Sequence, residues 1–375
     1  MKNKESLNSR RILLNYSTFR KNYLAGVAVY SREMLIEIIN KDSANKYTIV
    51  LNKEVIEYFR VKNILNIEII ELGSLFKKPV FRIFFEIFIL PLIIISKKID
   101  LLFTPYVSTS ILSPCKKITV IHDIMPLIMK KYSFARQSFV RVMMYISMRF
   151  ADKIITVSES SMNDLKKYYP KFKEKVSFIY NGVRKFDSGF DSSKFTEKYN
   201  FKYMLFVGTL QPSKNLLRLV EAYGKIEKNI DEKLIIVGGR GWQVADELNI
   251  LIKRFELKDR IVFTGYVEYE ELIALYSNAS FLVYPSLYEG FGFPPLEAMQ
   301  YGTAVLASNQ ASIPEVCGDA ALFVNPYSIE DISEKMILLC EDKELVSNLV
   351  RLGFEQVNKF NWGESADKML RIFNN

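Results

Sequence analysis

The sequence predicts an α/β protein made of two doubly wound domains, each built on a parallel β-sheet. Short runs rich in Val, Ile and Leu alternate with longer stretches of helical periodicity along the chain. Continuous apolar strands of this kind are typical of parallel sheets that helices cover on both faces. The pattern stops at a polar stretch rich in Gly and Ser, residues 181–202, and then restarts. We predict that this stretch is a linker followed by a short helix.

The predicted elements fall into two series. Before the linker, strands are expected at 10–15, 47–51, 66–71, 100–104, 117–122, 153–157 and 176–180. After it, strands are expected at 203–208, 233–238, 260–264, 280–284, 304–307 and 321–324. Helical periodicity is clearest over 29–40 and 136–150. A chain of 375 residues also favours two domains over one, and we place them at 1–187 and 188–361.

Composition narrows the classes of function. Three cysteines without metal-ligand spacing and a single histidine argue against a zinc site and a disulfide framework, and they favour a reducing compartment. The polar N-terminus shows no secretory signal. The net charge of +9 comes from scattered basic residues, which does not indicate a nucleic-acid surface. Attraction to anionic lipid or to a phosphate ligand, or a simple compositional bias, remains open.

Residues 80–96 form the most apolar run of the chain. The run is near the lower length limit for a membrane span and contains Arg82, Glu86 and Pro91. We therefore expect a buried or interface-seeking helix rather than a transmembrane one. An amphipathic edge that rests on a membrane remains an alternative.

Residues 286–299, SLYEGFGFPPLEAM, combine two carboxylates with a flexible loop. Glu289 follows the predicted strand 280–284, and the two prolines favour a helix that starts near Leu296. Glu297 is then expected in the first helical turn, where the helix dipole favours an anion. The glycines could let backbone N–H groups face a ligand. The alternative is a tight turn with a helix-capping glutamate.

EGFGFPPLE resembles the E-x7-E signature of retaining GT-B glycosyltransferases, in the family (family 4, group 1) typified by bacterial lipopolysaccharide and capsule mannosyltransferases. Further matches follow in order along the chain: AGVAVYSREML, TVIHDIMPL, IITVSESSMNDL, IYNGV, FVGTLQPSKNLLRLVEAY, FTGYVEYEELIALYSNAS, GTAVLASNQASIPEVCGDAALFVNP and FNWGESADKML. The resemblance implies two facing Rossmann-like domains with a cleft between them. It also implies a C-terminal helix, 362–375, that joins the N-terminal, acceptor-binding domain.

In the second domain, the resemblance implies a site for a nucleotide diphosphate sugar. Glu289 would contact the sugar beside the reacting carbon, as a catalytic residue, where its charge favours an oxocarbenium-like transition state. Glu297 would accept hydrogen bonds from the ribose hydroxyls. The backbone N–H groups of Phe291, Gly292 and Phe293 would hold the sugar or the diphosphate.

The same resemblance assigns Lys214 and Val267 to donor binding. Lys214 would offer its charge to the diphosphate, reinforced by a helix that begins at about Asn215. Val267 and the VGGRGW loop, 237–242, fall where the family contacts the base. Many members carry an arginine in the Lys214 loop, and here the matching positions are Thr209, kept as a donor-binding candidate, and Ser213. Arg218, Arg240 or a residue of the first domain would have to compensate.

In the first domain, Gly26 would let the backbone approach the donor phosphate and the acceptor. Asp123 and His122 fall in the family's His-Asp segment, at the end of a predicted strand. We take His122, with Glu289, as a catalytic candidate that contacts the donor sugar. A general-base role is disfavoured, since in a front-face retaining mechanism the departing phosphate receives the proton of the acceptor.

The resemblance therefore implies a hexosyltransferase without a cofactor. The absence of an Asp-x-Asp motif at a predicted strand end fits metal-independent chemistry. GDP-mannose is the preferred donor, with UDP-sugars and dTDP-rhamnose as alternatives. The acceptor would be a glycan or a lipid-linked molecule. The protein would be a peripheral protein at the cytoplasmic face of the membrane, where it meets this acceptor. Two other hypotheses are a catalytically silent GT-B protein, which the absent arginine favours, and a nucleotide-sugar epimerase.

Overall fold

The computed structural model describes residues 9–21, 26–61, 67–107, 110–129, 134–184, 195, 198–239 and 245–375. The chain divides into two compact units, Met1–Gly182 with Asn361–Asn375, and Val183–Phe360. The predicted division after residue 187 and most of the predicted linker lie outside the described residues.

The first unit is built on a seven-stranded parallel sheet. Its strands are β1 (Arg11–Tyr16), β2 (Lys46–Asn52), β3 (Ile67–Leu72), β4 (Leu101–Thr104), β5 (Lys116–Val120), β6 (Lys153–Thr156) and β7 (Val176–Phe178). The strand order is β3-β2-β1-β4-β5-β6-β7. The order reverses between β1 and β4, and in open α/β sheets such a reversal opens a crevice at the carboxyl ends of the strands.

Helices cover this sheet. They are α1 (Gly26–Lys41), α2 (Ile56–Phe59), α3 (Pro79–Phe84), α4 (Leu90–Ser96), α5 (Met125–Ile128), α6 (Phe134–Phe150), α7 (Glu159–Tyr168) and, from the chain end, α15 (Trp362–Asn374). Helix α15 packs against α1, and Lys41 Nζ donates to Asp367 at 2.7 Å. A Cβ on Gly182 would meet the backbone nitrogen of Trp362 at 2.2 Å. The IYNGV motif thus needs glycine at this position, because a larger side chain would clash with the backbone at the start of α15.

The apolar run 80–96 is a helix interrupted by a π-turn, Phe85–Ile89, between α3 and α4. Phe85, Leu90 and Ile94 pack into the core beside residues of β1, β2 and β4. Glu86 is buried within this segment and accepts a hydrogen bond from the Tyr106 hydroxyl at 2.9 Å. Among the described helices, none is both long and apolar enough to cross a bilayer.

The second unit is built on a six-stranded parallel sheet. Its strands are β8 (Tyr203–Val207), β9 (Lys233–Val237), β10 (Ile261–Gly265), β11 (Phe281–Tyr284), β12 (Ala304–Ser308) and β13 (Leu322–Val324). The order is β10-β9-β8-β11-β12-β13, which reverses between β8 and β11. Every predicted strand of both series overlaps an observed one to within two residues at each end. The prediction of two doubly wound parallel sheets is therefore confirmed.

The helices of the second unit complete its layers. They are α8 (Leu216–Ile226), α9 (Ala245–Arg254), α10 (Tyr269–Asn278), α11 (Phe293–Gln300), α12 (Ile313–Cys317), α13 (Ile329–Glu341) and α14 (Lys343–Val357). Leu219 and Val220 of α8 are fully buried against the central strands, together with Met336 of α13. This core fixes the strand ends from which the candidate site is built.

Candidate active site

The candidate site lies where the strand order of the second sheet reverses, at the carboxyl ends of β8 and β11. The loop after β8 carries Lys214, and the loop after β11 carries Glu289. The two loops are joined by a backbone hydrogen bond from Leu287 N to Ser213 O at 2.7 Å. Because β8 and β11 are neighbours in the sheet, residues 75 positions apart in the sequence meet at this edge.

Lys214 and Glu289 form a partly buried ion pair. Lys214 Nζ lies 2.5 Å from Glu289 Oε1, and the two side chains are 16% and 13% exposed. The Tyr284 hydroxyl completes the group, since it donates to Glu289 Oε1 at 2.9 Å and accepts from Lys214 Nζ at 3.0 Å. The sequence analysis assigned separate roles to the lysine and the carboxylate. The structure brings them together.

The protonation of this group follows from its surroundings. Burial alone would lower the pKa of the Lys214 ammonium, but the adjacent Glu289 carboxylate and Tyr284 hydroxyl raise this pKa above its ordinary value. Burial, and then the charge of Glu289, raise the pKa of the Tyr284 hydroxyl. Lysine is therefore charged and tyrosine neutral throughout the physiological pH range.

Asn215 anchors the lysine loop. It has a positive φ of 60°, between a short 3-10 turn at Pro212–Lys214 and the start of α8. Its Nδ2 donates to Pro285 O at 3.0 Å and to Pro326 O at 2.6 Å, while its Oδ1 accepts from Arg218 at 3.0 Å. Arg218 is thus engaged by Asn215 and does not contact the Lys214–Glu289 pair in any observed bond. Thr209 is partly buried in the same loop.

The Gly-Phe-Gly loop is held by packing on one side and by a hydroxyl on the other. Phe291 is buried with its ring 5.6 Å from that of Phe360. The Ser312 hydroxyl lies 3.0 Å from Glu289 O and 2.7 Å from Phe291 O. Gly292 has a φ of 120°, and a Cβ there would meet Ile313 Cδ1 at 2.8 Å. The loop therefore needs glycine at this position.

Glu297 occupies a different place in its helix from the one predicted. Helix α11 begins at Phe293, not near Leu296, so Glu297 is its fifth residue and the first turn holds no acidic residue. The two prolines tolerate an earlier start because the first N–H groups of a helix have no intrahelical partner. The prediction that Glu297 lies in the first turn is therefore wrong.

The carboxylate of Glu297 is enclosed by tyrosines and an arginine. Tyr276 of α10 donates to Glu297 Oε2 at 2.8 Å. Burial raises the pKa of Glu297, against the lowering effects of this hydrogen bond and of Arg184. The Arg184 guanidinium lies 4.3 Å from the ring centroid of Tyr269. The sequence analysis missed Tyr276, Tyr284 and Arg184.

The positions expected to contact the base lie at the ends of β9 and β10. Gly238 has a φ of 138°, and a Cβ there would meet Gly208 O at 2.1 Å. Tyr266 is 79% exposed and its ring covers Gly239. Val267 follows it and is partly buried. The remainder of the VGGRGW loop, with Arg240, lies outside the described residues.

In the first unit, His122 lies between the loop after β4 and helix α1. His122 lies two residues beyond the end of β5, and its Nε2 donates to Pro105 O at 2.9 Å. Tyr30 of α1 packs edge-on against the ring at 4.8 Å. Burial lowers the pKa of His122 from 6.5 to about 4 despite the bond to Pro105. The ring is therefore neutral near pH 7.

Two residues predicted to bind the donor lie at helix starts in the first unit. Gly26 is the first residue of α1. The helix can begin there because its first N–H groups need no intrahelical partner, and these groups remain suited to an anion. Asp123 Oδ1 accepts from Met125 N, the first residue of the short helix α5, at 2.8 Å. Within the described part of the chain, no cluster of His, Cys, Asp or Glu could hold a metal ion.

Comparisons with known proteins identify the family. Residues 187–356 match the family model described as Glycosyl transferases group 1, and residues 50–185 match the model described as Glycosyltransferase Family 4. The chain is 30% identical over 273 residues to the serotype-specific mannosyltransferase WbdA of Escherichia coli, a match that covers 69% of this chain and 33% of WbdA. It is 33% identical over 256 residues to O-antigen chain mannosyltransferase B of Escherichia coli, covering 67% and 61% respectively.

The chain thus spans less than two thirds of both curated relatives. Among solved structures, Anabaena Alr3699/HepE, in complex with UDP and glucose, matches with a TM-score of 0.75 and 18% identity over 97% of this chain and 99% of that one. This likeness and the two parallel-sheet units show the GT-B fold. Two adjoining family models together match most of the chain, which is thus a GT-B glycosyltransferase that resembles the bacterial O-antigen mannosyltransferases.

Proposed function

We propose that this chain is a retaining hexosyltransferase that moves a sugar from a nucleotide diphosphate donor to a glycan or lipid-linked acceptor in cell-surface glycan synthesis. The observation that carries the proposal is the Lys214–Glu289 ion pair at the point where the strand order of the second sheet reverses. A cation for phosphate and a carboxylate for a sugar stand side by side there. Family membership supports the same reaction class.

The donor-binding roles fit the chemistry of each side chain. An ammonium has three N–H donors, and two of those on Lys214 are directed to Glu289 and Tyr284. The third can donate to a phosphate oxygen without breaking the ion pair. Glu289 accepts both of its bonds through Oε1, so Oε2 is left to accept from a sugar hydroxyl. Glu297 would accept from the ribose hydroxyls.

Mannose from GDP-mannose is the first choice of donor. The curated relatives described above are named mannosyltransferases, which supports mannose. The fold neighbour in complex with UDP and glucose supports UDP-sugars as the alternative, and dTDP-rhamnose is a further candidate. A thermal-shift panel of GDP, UDP and dTDP sugars discriminates among them, because a ligand selective for the native state raises the melting temperature.

The proposed reaction proceeds on one face of the sugar. The bond from the anomeric carbon to the diphosphate oxygen breaks, the acceptor oxygen bonds to the same face, and the departing phosphate takes the acceptor proton. Lys214 stabilises the charge that develops on the leaving diphosphate, and Glu289 stabilises the positive charge at the sugar. His122 is neutral near pH 7 because burial lowers its pKa, and we assign it a contact to the donor sugar.

We further propose that transfer needs no metal ion, with Lys214 and helix N–H groups offsetting phosphate charge. The expected result is that a chelator such as EDTA leaves the initial rate unchanged. A large loss of rate that Mg²⁺ restores would refute metal independence while leaving the transferase assignment intact.

The central test of the proposed function is Glu289→Ala. The variant is expected to lose nearly all turnover and to retain most of its affinity for the donor nucleotide, because the carboxylate acts at the sugar. The product anomer, read by NMR, tests retention. A variant with the full rate of the parent protein would remove Glu289 from the mechanism.

A membrane-bound acceptor is supported by the surface of the first unit. Along α3, the π-turn and α4, the side chains at one face are exposed and apolar: Val80, Phe84, Phe88, Leu92 and Ile95. Helix α6 adds a second exposed apolar set: Phe134, Phe139, Val142, Tyr145 and Phe150. Both helices follow crossovers in the same direction across the sheet, so right-handed connections place them on one face.

The charge around these helices suits an anionic bilayer. No Asp or Glu occurs in residues 124–151, while Arg141 and Arg149 are exposed on α6. The lysine-rich segment after α7 borders this helix, with the rings of Tyr145 and Phe172 5.5 Å apart. Apolar side chains flanked by cations bind headgroup interfaces by insertion and by attraction to anionic lipid. We therefore propose peripheral binding at the cytoplasmic membrane face.

The absent loop arginine favours the silent GT-B protein as the second candidate. The Arg218 guanidinium donates to Asn215 rather than to the Lys214–Glu289 pair. A silent protein would bind a nucleotide sugar and give no transfer with any acceptor extract, and Glu289→Ala would change nothing measurable except binding. Free epimerised sugar nucleotide, formed without acceptor, would instead indicate an epimerase.

A further inference from the structure

We infer that Tyr284 and Tyr276 are positioning residues, each of which holds one of the two carboxylates, Glu289 and Glu297 respectively, in the orientation its task requires. The inference rests on the proposed function, because it assigns the two tyrosines to two separable steps. Neither tyrosine belongs to the E-x7-E pattern.

Tyr284 is placed by the sheet. It is the last residue of β11, 1% exposed, and pairs with Ala307 of β12 in register. Its hydroxyl bonds to Glu289 Oε1 at 2.9 Å and accepts from Lys214 Nζ at 3.0 Å. Both functions of this hydroxyl are thus used within the ion pair. Since a central strand cannot shift without disrupting the core, Tyr284 gives Glu289 a fixed reference on the scaffold.

Tyr276 is placed by a helix. It lies in α10, 1% exposed, and its ring stacks on that of Tyr301 at 6.0 Å with an angle of 10°. Thr303 Oγ1 donates to Tyr276 O at 2.5 Å. The hydroxyl donates to Glu297 Oε2 at 2.8 Å. A rigid donor therefore holds one carboxylate oxygen and leaves the other for a ligand.

The two pairs share a chemistry but not a spacing. Tyr284 lies 5 positions before Glu289, and Tyr276 lies 21 positions before Glu297. Burial raises the pKa of each tyrosine, and the neighbouring carboxylate adds to the effect. Both hydroxyls therefore keep their proton and can donate a hydrogen bond to the carboxylate. Because the tyrosines are buried, neither needs to touch the donor.

The two roles separate in steady-state kinetics. Glu289 acts at the reacting carbon, so misplacement of its carboxylate lowers kcat and leaves the donor KM nearly unchanged. Glu297 acts on the ribose, so misplacement raises the donor KM and leaves kcat at saturation nearly unchanged. A hydrogen bond to a charged group contributes enough that loss of one hydroxyl changes the affected constant about tenfold or more.

The experiment compares Tyr284→Phe and Tyr276→Phe, which each remove one oxygen and keep the ring. Tyr223→Phe is the matched control, since the buried Tyr223 hydroxyl donates to Glu232 O at 2.9 Å and does not contact Glu289 or Glu297 in any observed bond. We expect kcat to fall about tenfold in the first variant, and the donor KM and the Kd for the nucleoside diphosphate to rise about tenfold in the second. The control is expected to retain both constants. Thermal unfolding of all three reports folding.

Failure of the positioning roles and failure of the proposed transferase function give different results. If Glu289→Ala abolishes turnover while Tyr284→Phe keeps the parent kcat, the positioning role of Tyr284 is wrong. Equal changes of kcat and KM in both tyrosine variants would likewise overturn the separation of roles. If instead Glu289→Ala retains turnover, the proposed function fails. The nucleotide affinity of Tyr276→Phe, measured by calorimetry, tests the second pair without any acceptor.

Discussion

Replacing Lys214 with methionine should destabilise the second unit, because Glu289 would keep its charge without its partner. The two side chains are 16% and 13% exposed, and their charged atoms lie 2.5 Å apart. Removal of one member of a buried pair costs about 3–5 kcal/mol. Tyr284 still donates to the carboxylate and some solvent reaches it, so we expect the lower end, about 3 kcal/mol. For a domain of this size that lowers the melting temperature by roughly 6–12 °C.

Differential scanning calorimetry without ligand measures this effect within a double-mutant cycle. Lys214→Met and Glu289→Gln are each compared with the double variant, in which no charge remains unpaired. The double variant is expected to recover most of the loss, which corresponds to a coupling of about 2 kcal/mol. Arg351→Met is the matched control, because the Arg351–Glu355 pair is 61% and 63% exposed and exposed pairs contribute little.

Two results of the cycle would contradict the assigned role of the ion pair in stability. If Lys214→Met melts with the parent protein, the ion pair does not carry the folding energy assigned to it. If the losses of the single variants simply add in the double variant, the two charges are not coupled. Either result would also weaken the assignment of Lys214 as a cation already poised beside the carboxylate.

Other predictions address separate features. Stability should fall as the pH drops from 6.5 towards about 4, because over this window the unfolded chain protonates His122 and the folded chain does not. The loss of unfolding free energy approaches about 3 kcal/mol. Urea titrations across pH should show this loss in the parent protein and not in His122→Gln. Gly238→Ala should lower the melting temperature, since its Cβ would meet Gly208 O at 2.1 Å at a φ of 138°, and an unchanged value would contradict that contact. The parent protein should bind phosphatidylglycerol vesicles more than phosphatidylcholine vesicles in a flotation assay. The double variant Phe84→Glu with Phe88→Glu should not float with phosphatidylglycerol vesicles. Equal flotation of parent and variant would exclude this surface from membrane binding.

Much of the fold was predictable from local sequence. Buried parallel strands are short and apolar on both faces. Each of the thirteen strands that the structure describes therefore corresponds to a recognisable apolar run in the sequence. The motif EGFGFPPLE predicted the loop and the helix after β11. It did not predict where the helix begins, because two prolines are compatible with several of the first helical positions.

Membership of the site was predictable only in part. Lys214 and Glu289 were each singled out, yet their pairing was not, since it depends on β8 and β11 being neighbours. Tyr276 and Tyr284 were overlooked because an aromatic residue in an apolar helix or strand usually belongs to the core. The separations within the two pairs, 5 and 21 positions, follow no common pattern that could have indicated them. Glu86, the acidic residue within the apolar run 80–96, is buried and accepts a hydrogen bond from the Tyr106 hydroxyl.

The sequence by itself determined the two series of strands and helices, the resemblance to GT-B glycosyltransferases and the residue types of the candidate site. These properties are written in neighbouring residues, as runs, turns and motifs. Only the tertiary structure decided that a lysine after β8, a tyrosine ending β11 and a glutamate beyond it share one hydrogen-bonded group. That contact is set by the strand order, which brings distant segments to one sheet edge, and no local pattern encodes the order.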